Sequence, residues 1–104
     1  MNMTEPHDVT IREFQEFILN QYGKRDSERG TPGTFMWFVE EVGELSSAFR
    51  KGTPAELEHE FGDVLAWLAS LANLCEIDLE KAAARYENGC PRCGSTPCDC
   101  PFIP

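Results

Sequence analysis

Residues 38–65 read FVEEVGELSSAFRKGTPAELEHEFGDVL, and the middle of this stretch decides the fold. Gly52 is a helix stop. Thr53, Pro54 and Glu56 behind it are, in order, an N-cap, a proline suited to the first helical position and the acid of a capping box. Ahead of the glycine, Phe35, Phe38, Val39, Val42, Leu45 and Phe49 recur at helical spacing. The pattern predicts a helix over residues 34–51, a very tight turn, and a further helix from Pro54 to about Cys75. Helices joined so closely fold back antiparallel as a hairpin.

The same stretch carries Glu40, Glu41 and Glu44 within about one turn, where like charges at helical spacing repel by roughly 0.2–0.5 kcal/mol per pair. Glu44 lies eight residues before Gly52 and Glu60 eight after, while Glu41 lies eleven before and Asp63 eleven after. Both helices rise about 1.5 Å per residue, so the antiparallel pairing sets these acids level in two rows across one seam. Bound cations or raised pKa values make such a cluster tolerable. All-oxygen donors suit Mg²⁺ or Mn²⁺ better than zinc. The competing reading is a solvated face with ordinary charges. The hairpin's basic residues, however, are confined to Arg50 and Lys51 at its turn, and mirrored spacing on two helices is not needed for solvation.

Trp37, four residues before Glu41, and Trp67, four after Asp63, fall on the wheel beside the acids. Each indole is open to two readings, core packing or a flat face on which a nucleobase stacks. The predicted helix after Gly52 is apolar over more than half its circumference, with Phe61, Val64, Leu65, Trp67, Leu68, Leu71, Ala72 and Leu74. One chain of 104 residues has little else to cover it, so a homodimer or homotetramer is expected, against a compact monomer.

Upstream, Thr10 and Glu13 form a capping box, and Ile11, Phe14, Ile18 and Tyr22 follow at helical spacing. Gly23 is expected to end that helix, with GKRDSERGTPG, residues 23–33, a charged connecting loop. Downstream, Asp78 caps a short fourth helix that Gly89 closes. The expected architecture is therefore all-α: a four-helix bundle built on the hairpin over residues 1–88, then a small Cys-rich knuckle over 89–104.

That tail, CPRCGSTPCDC, sets Cys90, Cys93, Cys98 and Cys100 at the spacing C-x2-C-x4-C-x-C. Four thiols in eleven residues suggest a structural Zn²⁺ site, with tetrahedral sulfur ligation; the C-x-C half leaves a disulfide or redox reading open. Cys75, in an apolar helix, reads as core. A formal charge of −9 argues against a binder of nucleic acid polymers, whose affinity is carried by clustered Lys and Arg. No apolar run approaches the ~20 residues that span a bilayer, and the polar, acidic N-terminus is unlike a secretory signal, so the chain reads as cytoplasmic.

EEVGEL followed after a short turn by EHEFGDVL resembles the EExxE then ExxD signature of the MazG-like nucleoside triphosphate pyrophosphohydrolases, in the all-α NTP pyrophosphatase superfamily. The resemblance covers about residues 14–86. It implies Mg²⁺-dependent hydrolysis of a nucleoside triphosphate between the α and β phosphates, giving monophosphate and pyrophosphate. Glu41, Glu44, Glu60 and Asp63 match the family's metal-ligand positions. Glu40 matches the leading acid that orients or deprotonates the attacking water. Lys81 and Arg85 are the candidates for the family's phosphate-meeting basic groups, with solvated charges as the plain alternative. The Cys cluster departs from the family's core pattern. Two other functions remain open: the related phosphoribosyl-ATP pyrophosphohydrolase reaction, and a zinc-knuckle module whose acids meet a partner's basic surface.

Overall fold

The computed structural model describes residues 8–101; the N-terminal stretch up to residue 7 and residues 102–104 lie outside it. The described chain is helical throughout, with three α-helices rather than the four expected: α1 (Ile11–Lys51), α2 (Pro54–Leu74) and α3 (Leu79–Ala83), followed by a 3-10 turn at Ala84–Tyr86. Both predicted capping boxes are present. Thr10 Oγ1 accepts from the Glu13 amide at 3.0 Å while the Glu13 carboxylate accepts from the Thr10 amide. Thr53 and Glu56 repeat the arrangement at the start of α2. α2 ends at Leu74, and Asp78 caps α3 by accepting from the Glu80 and Lys81 amides.

The difference in helix number arises at residues 23–33. Gly23 does not stop the helix, and the expected loop is helical except at Gly30, where the backbone turns to φ 85°, ψ 167°. α1 thus has two arms, 11–29 and 31–51, meeting at one bent residue. A glycine inside a helix costs only about 1 kcal/mol, which tertiary burial readily outweighs, and Pro32 falls in the first turn of the second arm, where a missing amide proton is tolerated. The bend is stitched by side chains. Thr34 Oγ1 donates to the Gly30 carbonyl at 2.8 Å and accepts from Arg29 Nη1 at 3.0 Å, and Thr34 is wholly buried.

Both arms pack on α2. The second arm pairs with it antiparallel from the Gly52 turn, with Phe49 edge-on to Phe61 near the closed end (centroids 6.0 Å, 80°). The first arm meets the other end of α2, where Gln15 Nε2 donates to Asn73 Oδ1 and the Ile77 carbonyl, and Gln15 Oε1 accepts from the Leu79 amide. Arg12 pairs with Asp78 and Glu80, which fastens α3 to the start of α1. The hydrogen bond from Arg12 holds the Asp78 carboxyl below the ordinary carboxylate range.

Among the described residues the buried apolar core is only Ile18, Ala69 and Ala72. The apolar stripe of the second arm is largely open in the single chain, with Phe35 54% and Phe49 63% exposed and Phe38 and Leu45 half-buried, and Phe61 of α2 is 53% exposed. Cys75, expected in the core, is exposed at the C-cap of α2. No described helix is long and apolar enough to cross a membrane.

Gly30 occupies a conformation that is essentially glycine-only, and a Cβ placed there meets nothing closer than Pro32 Cδ at 3.9 Å. Gly30→Ala therefore tests the bend through backbone strain alone. It should lower stability by about 1–3 kcal/mol in urea or thermal unfolding; an unchanged midpoint would show that α1 tolerates a straighter path.

Candidate functional site

The two-residue connection Gly52–Thr53 fixes the register of the hairpin, and the register brings the acids together. Glu41 from α1 and Glu60 and Asp63 from α2 place one carboxylate oxygen each within 4.8 Å of one another, and all three are half-buried. This is the seam expected from the mirrored spacing, populated by three of its four acids. Glu44 stays exposed outside the triad and lines, with Glu60, His59 and Lys51, an adjoining groove of about 380 Å³ beside the turn. Glu40 is exposed on the same helix.

The electrostatics of the triad are unsatisfied by protein groups. Burial raises the Glu41 pKa, and the charges of Asp63, Glu60, Glu44 and Glu40 raise it further. Glu60 Oε2 is enclosed and has no hydrogen-bond partner among the described residues. The nearest counter-group is His59, whose Nε2 lies 3.5 Å from Asp63 Oδ2 at an exposed position. An enclosed carboxylate oxygen without a donor is costly. The oxygen-only donor set and this orphaned oxygen fit a hard divalent cation, so Glu41, Glu60 and Asp63 are the residues that would hold one.

Trp37 and Trp67 do share the acids' side of the hairpin, but they stack on each other, with centroids 5.9 Å apart and planes 15° apart. Each indole covers part of the other, an arrangement that helical spacing alone does not specify. Arg29 from the first arm sets its guanidinium 4.9 Å from the Trp67 ring centroid, so α2 and both arms of α1 converge at this one side chain. Against the pair opens a cavity of about 410 Å³ whose lining includes Trp37, Trp67, Arg25, Asp26, Ser70 and Asp63. Asp63 belongs both to the acid triad and to the cavity wall, so the two are continuous.

Lys81 and Arg85 do not reach this cavity within one chain. Lys81 is exposed on α3, and the Arg85 guanidinium lies over Tyr86 at 5.7 Å. The cations at the cavity are Arg25 and Arg29, which sequence reading placed in a loop. Their signal was present: Tyr22, Arg25, Asp26 and Arg29 recur at spacings of three and four, one face of a helix that continues past Gly23.

The tail gathers its four thiols. Sulfurs of Cys90, Cys93, Cys98 and Cys100 all lie within 4.8 Å of one another, and Cys90 Sγ is 3.7 Å from Cys100 Sγ. Four sulfurs at about 2.3 Å from a tetrahedral ion are separated by about 3.8 Å, so the spacing fits such an ion. Backbone amides of Arg92, Asp99 and Cys100 donate to Cys90, Cys93 and Cys98. Amides from Asp99 and Ser95 pull the Cys93 thiol down to about 6, while hydrogen bonds with Cys98 and Cys90 push Cys100 up to about 12. All five cysteines are free.

No curated protein matches the chain. The sequence profile of the MazG nucleotide pyrophosphohydrolase domain matches residues 31–90, which takes in the second arm of α1, all of α2 and the three acids of the seam. With more than half of its length matched and its carboxylates brought together by the hairpin register, the protein belongs to the MazG nucleotide pyrophosphohydrolase family.

Proposed function

We propose that the protein hydrolyses nucleoside triphosphates between the α and β phosphates, releasing a monophosphate and pyrophosphate, with Mg²⁺ or Mn²⁺ as cofactor. The observation that carries this reading is the Glu41–Glu60–Asp63 triad, an oxygen-donor cluster with an orphaned oxygen that opens into a cavity faced by indoles. When bound there, divalent cations supply charge neutralisation for the phosphates and an acidified water. Glu41, Glu60 and Asp63 would hold the cations, and Glu44 extends the acidic field towards the turn. Glu40, one residue from Glu41 and exposed, is assigned to orient and deprotonate the attacking water. The Trp37–Trp67 pair walls the cavity that takes the nucleoside, Arg25 and Arg29 line it as further cations, and Lys81 and Arg85 stay assigned to meet the phosphates.

Glu41→Gln and Asp63→Asn preserve size and remove one charge each, so pyrophosphate release in Mg²⁺ should fall by about a hundredfold or more while far-UV circular dichroism is unchanged. Full turnover in both variants would rule out the triad as the metal site. The sign of the stability effect is opposite. Folding raises the Glu41 pKa, so the folded state binds protons more tightly than the unfolded chain, and stability is lost as pH rises from the ordinary carboxylate range, near 4.5, through the raised value. Without metal at neutral pH, Glu41→Gln should therefore be more stable than the parent by roughly 0.5 kcal/mol. The advantage should vanish at pH 4, where the parent's Glu41 is protonated.

The four-cysteine knuckle is assigned one structural Zn²⁺, in a cytoplasmic setting where thiols stay reduced. Protein purified without added zinc should contain about one zinc per chain. Cys90→Ser should lose that zinc and cost thermal stability before it costs turnover. A reduced preparation devoid of zinc, with Cys pairs that oxidise reversibly, would favour the redox alternative.

The exposed Phe35, Val39, Phe49, Phe61 and Leu65 are assigned to contact a second copy of the chain, because the three buried apolar residues among those described are too small a core for a domain of this length. Stable homodimers bury about 800 Å² or more per partner. Sedimentation at micromolar concentration should give a dimer or tetramer, and Phe49→Asp should dissociate it. A wild-type monomer with full activity would refute the assignment.

A further inference from the structure

Four residues of α2 line the cavity beside the indoles: Asp63, Ala66, Trp67 and Ser70. Their spacing of three, four and seven is one face of a helix, so α2 presents a single row to the cavity. Ser70 ends that row. It is only 4% exposed, and its hydroxyl makes no hydrogen bond to a described residue. The fully enclosed oxygens that lack a partner among the described residues are Asp26 Oδ2 and Glu60 Oε2, and Ser70 Oγ is not one of them. The little surface that Ser70 keeps therefore includes its hydroxyl, and the cavity it lines is where that surface opens. A hydroxyl in a helix can satisfy itself on the carbonyl four residues back, as Thr34 does on Gly30. Ser70 does not, and it keeps a donor and an acceptor free at the cavity wall.

The row also sets a distance. Asp63 belongs to the acid triad, and Ser70 lies seven residues further along α2, about 10 Å at the helical rise. A nucleoside monophosphate has about that length from its phosphate to the far edge of its base. Between the two ends, the small side chain of Ala66 leaves room and Trp67 offers an aromatic surface. We infer that Ser70 is a specificity-determining residue: its hydroxyl hydrogen-bonds the edge of the nucleobase, and the nucleotide lies along α2 with its phosphates at the triad and its base towards the Leu74 end. The inference rests on the reading of the site as nucleotide-binding and adds which way the nucleotide lies and which atom meets the base. Each base carries its own pattern of donors and acceptors, and a hydroxyl fixed at one place on a helix meets some patterns better than others. Stacking on tryptophan, by contrast, is indifferent to the base. The hydroxyl gives up water to take the base, so the discrimination is that of one exchanged, uncharged hydrogen bond.

The chain has two tryptophans, and both line this cavity, so their fluorescence reports its occupancy without hydrolysis or metal. Full-length protein and its Ser70→Ala variant, which removes the hydroxyl and favours the helix, are titrated with adenosine, guanosine, cytidine and uridine. The parent should bind one of the four best. Ser70→Ala should weaken that nucleoside by about three- to tenfold, the scale of one uncharged hydrogen bond, and weaken the poorest binder less, so that the spread of affinities narrows. Unchanged affinities in a variant with the circular dichroism of the parent overturn the inference. An equal loss for all four nucleosides overturns it too, since it would put the hydroxyl on the ribose. Equal affinities of the parent for all four, or no quenching by any of them at millimolar concentration, overturn it even if the variant fails to fold. Failure of the hydrolytic reading is separate: it appears as absence of pyrophosphate from every triphosphate with Mg²⁺, whatever the nucleosides do.

Discussion

The connection between α1 and α2 is the constraint on which the rest depends. Only Gly52 and Thr53 separate the two helices, and the Thr53 capping box with Pro54 starts α2 at a fixed residue. An antiparallel pair closed that tightly has one register. Glu41 is set level with Asp63, and Trp37 with Trp67, each pair equally far along the chain from Gly52. One added residue in the turn would rotate α2 by about 100° and take its acids and its indole off the seam together.

The cavity depends on a second device, the bend at Gly30. It lets one long helix lay two arms on α2, and Trp67 is the residue both arms reach, through Arg29 from one and Trp37 from the other. The buried polar cluster of Asp26, Arg29 and Thr34 specifies this bend more than it adds to stability, since an enclosed ion pair offsets its Coulombic gain with desolvation.

The molecule is also unusual in how little it buries. Among the described residues two of the three buried apolar ones are alanines, while several phenylalanines remain open to solvent. Much of the apolar pattern of the second arm and α2 is therefore open in the single chain, and the hairpin carries its acid triad within that chain. The cysteine knuckle follows α3 at the far end of the sequence from the turn and lies almost wholly beyond the stretch that matches the family.

What the sequence determined by itself is whatever is local or repeats along one axis. Helix starts at Thr10, Thr53 and Asp78, the hairpin, the meeting of Glu41 with Glu60 and Asp63 and the gathering of four cysteines all follow from capping chemistry, helical rise and short spacing, and all are present. Residues 23–33 are helical against their local signals because glycines and charges weigh against a helix by only a few kcal/mol at most, and packing on α2 decides such a margin. The tertiary structure alone decided that Trp37 and Trp67 stack on each other, that Glu44 stays outside the triad, and that Arg25 and Arg29 line the cavity beside the indoles. It alone buried Asp26 with one oxygen unpaired. Each of these depends on how far one helix is tilted and slid against another, a quantity that no spacing along a single chain encodes.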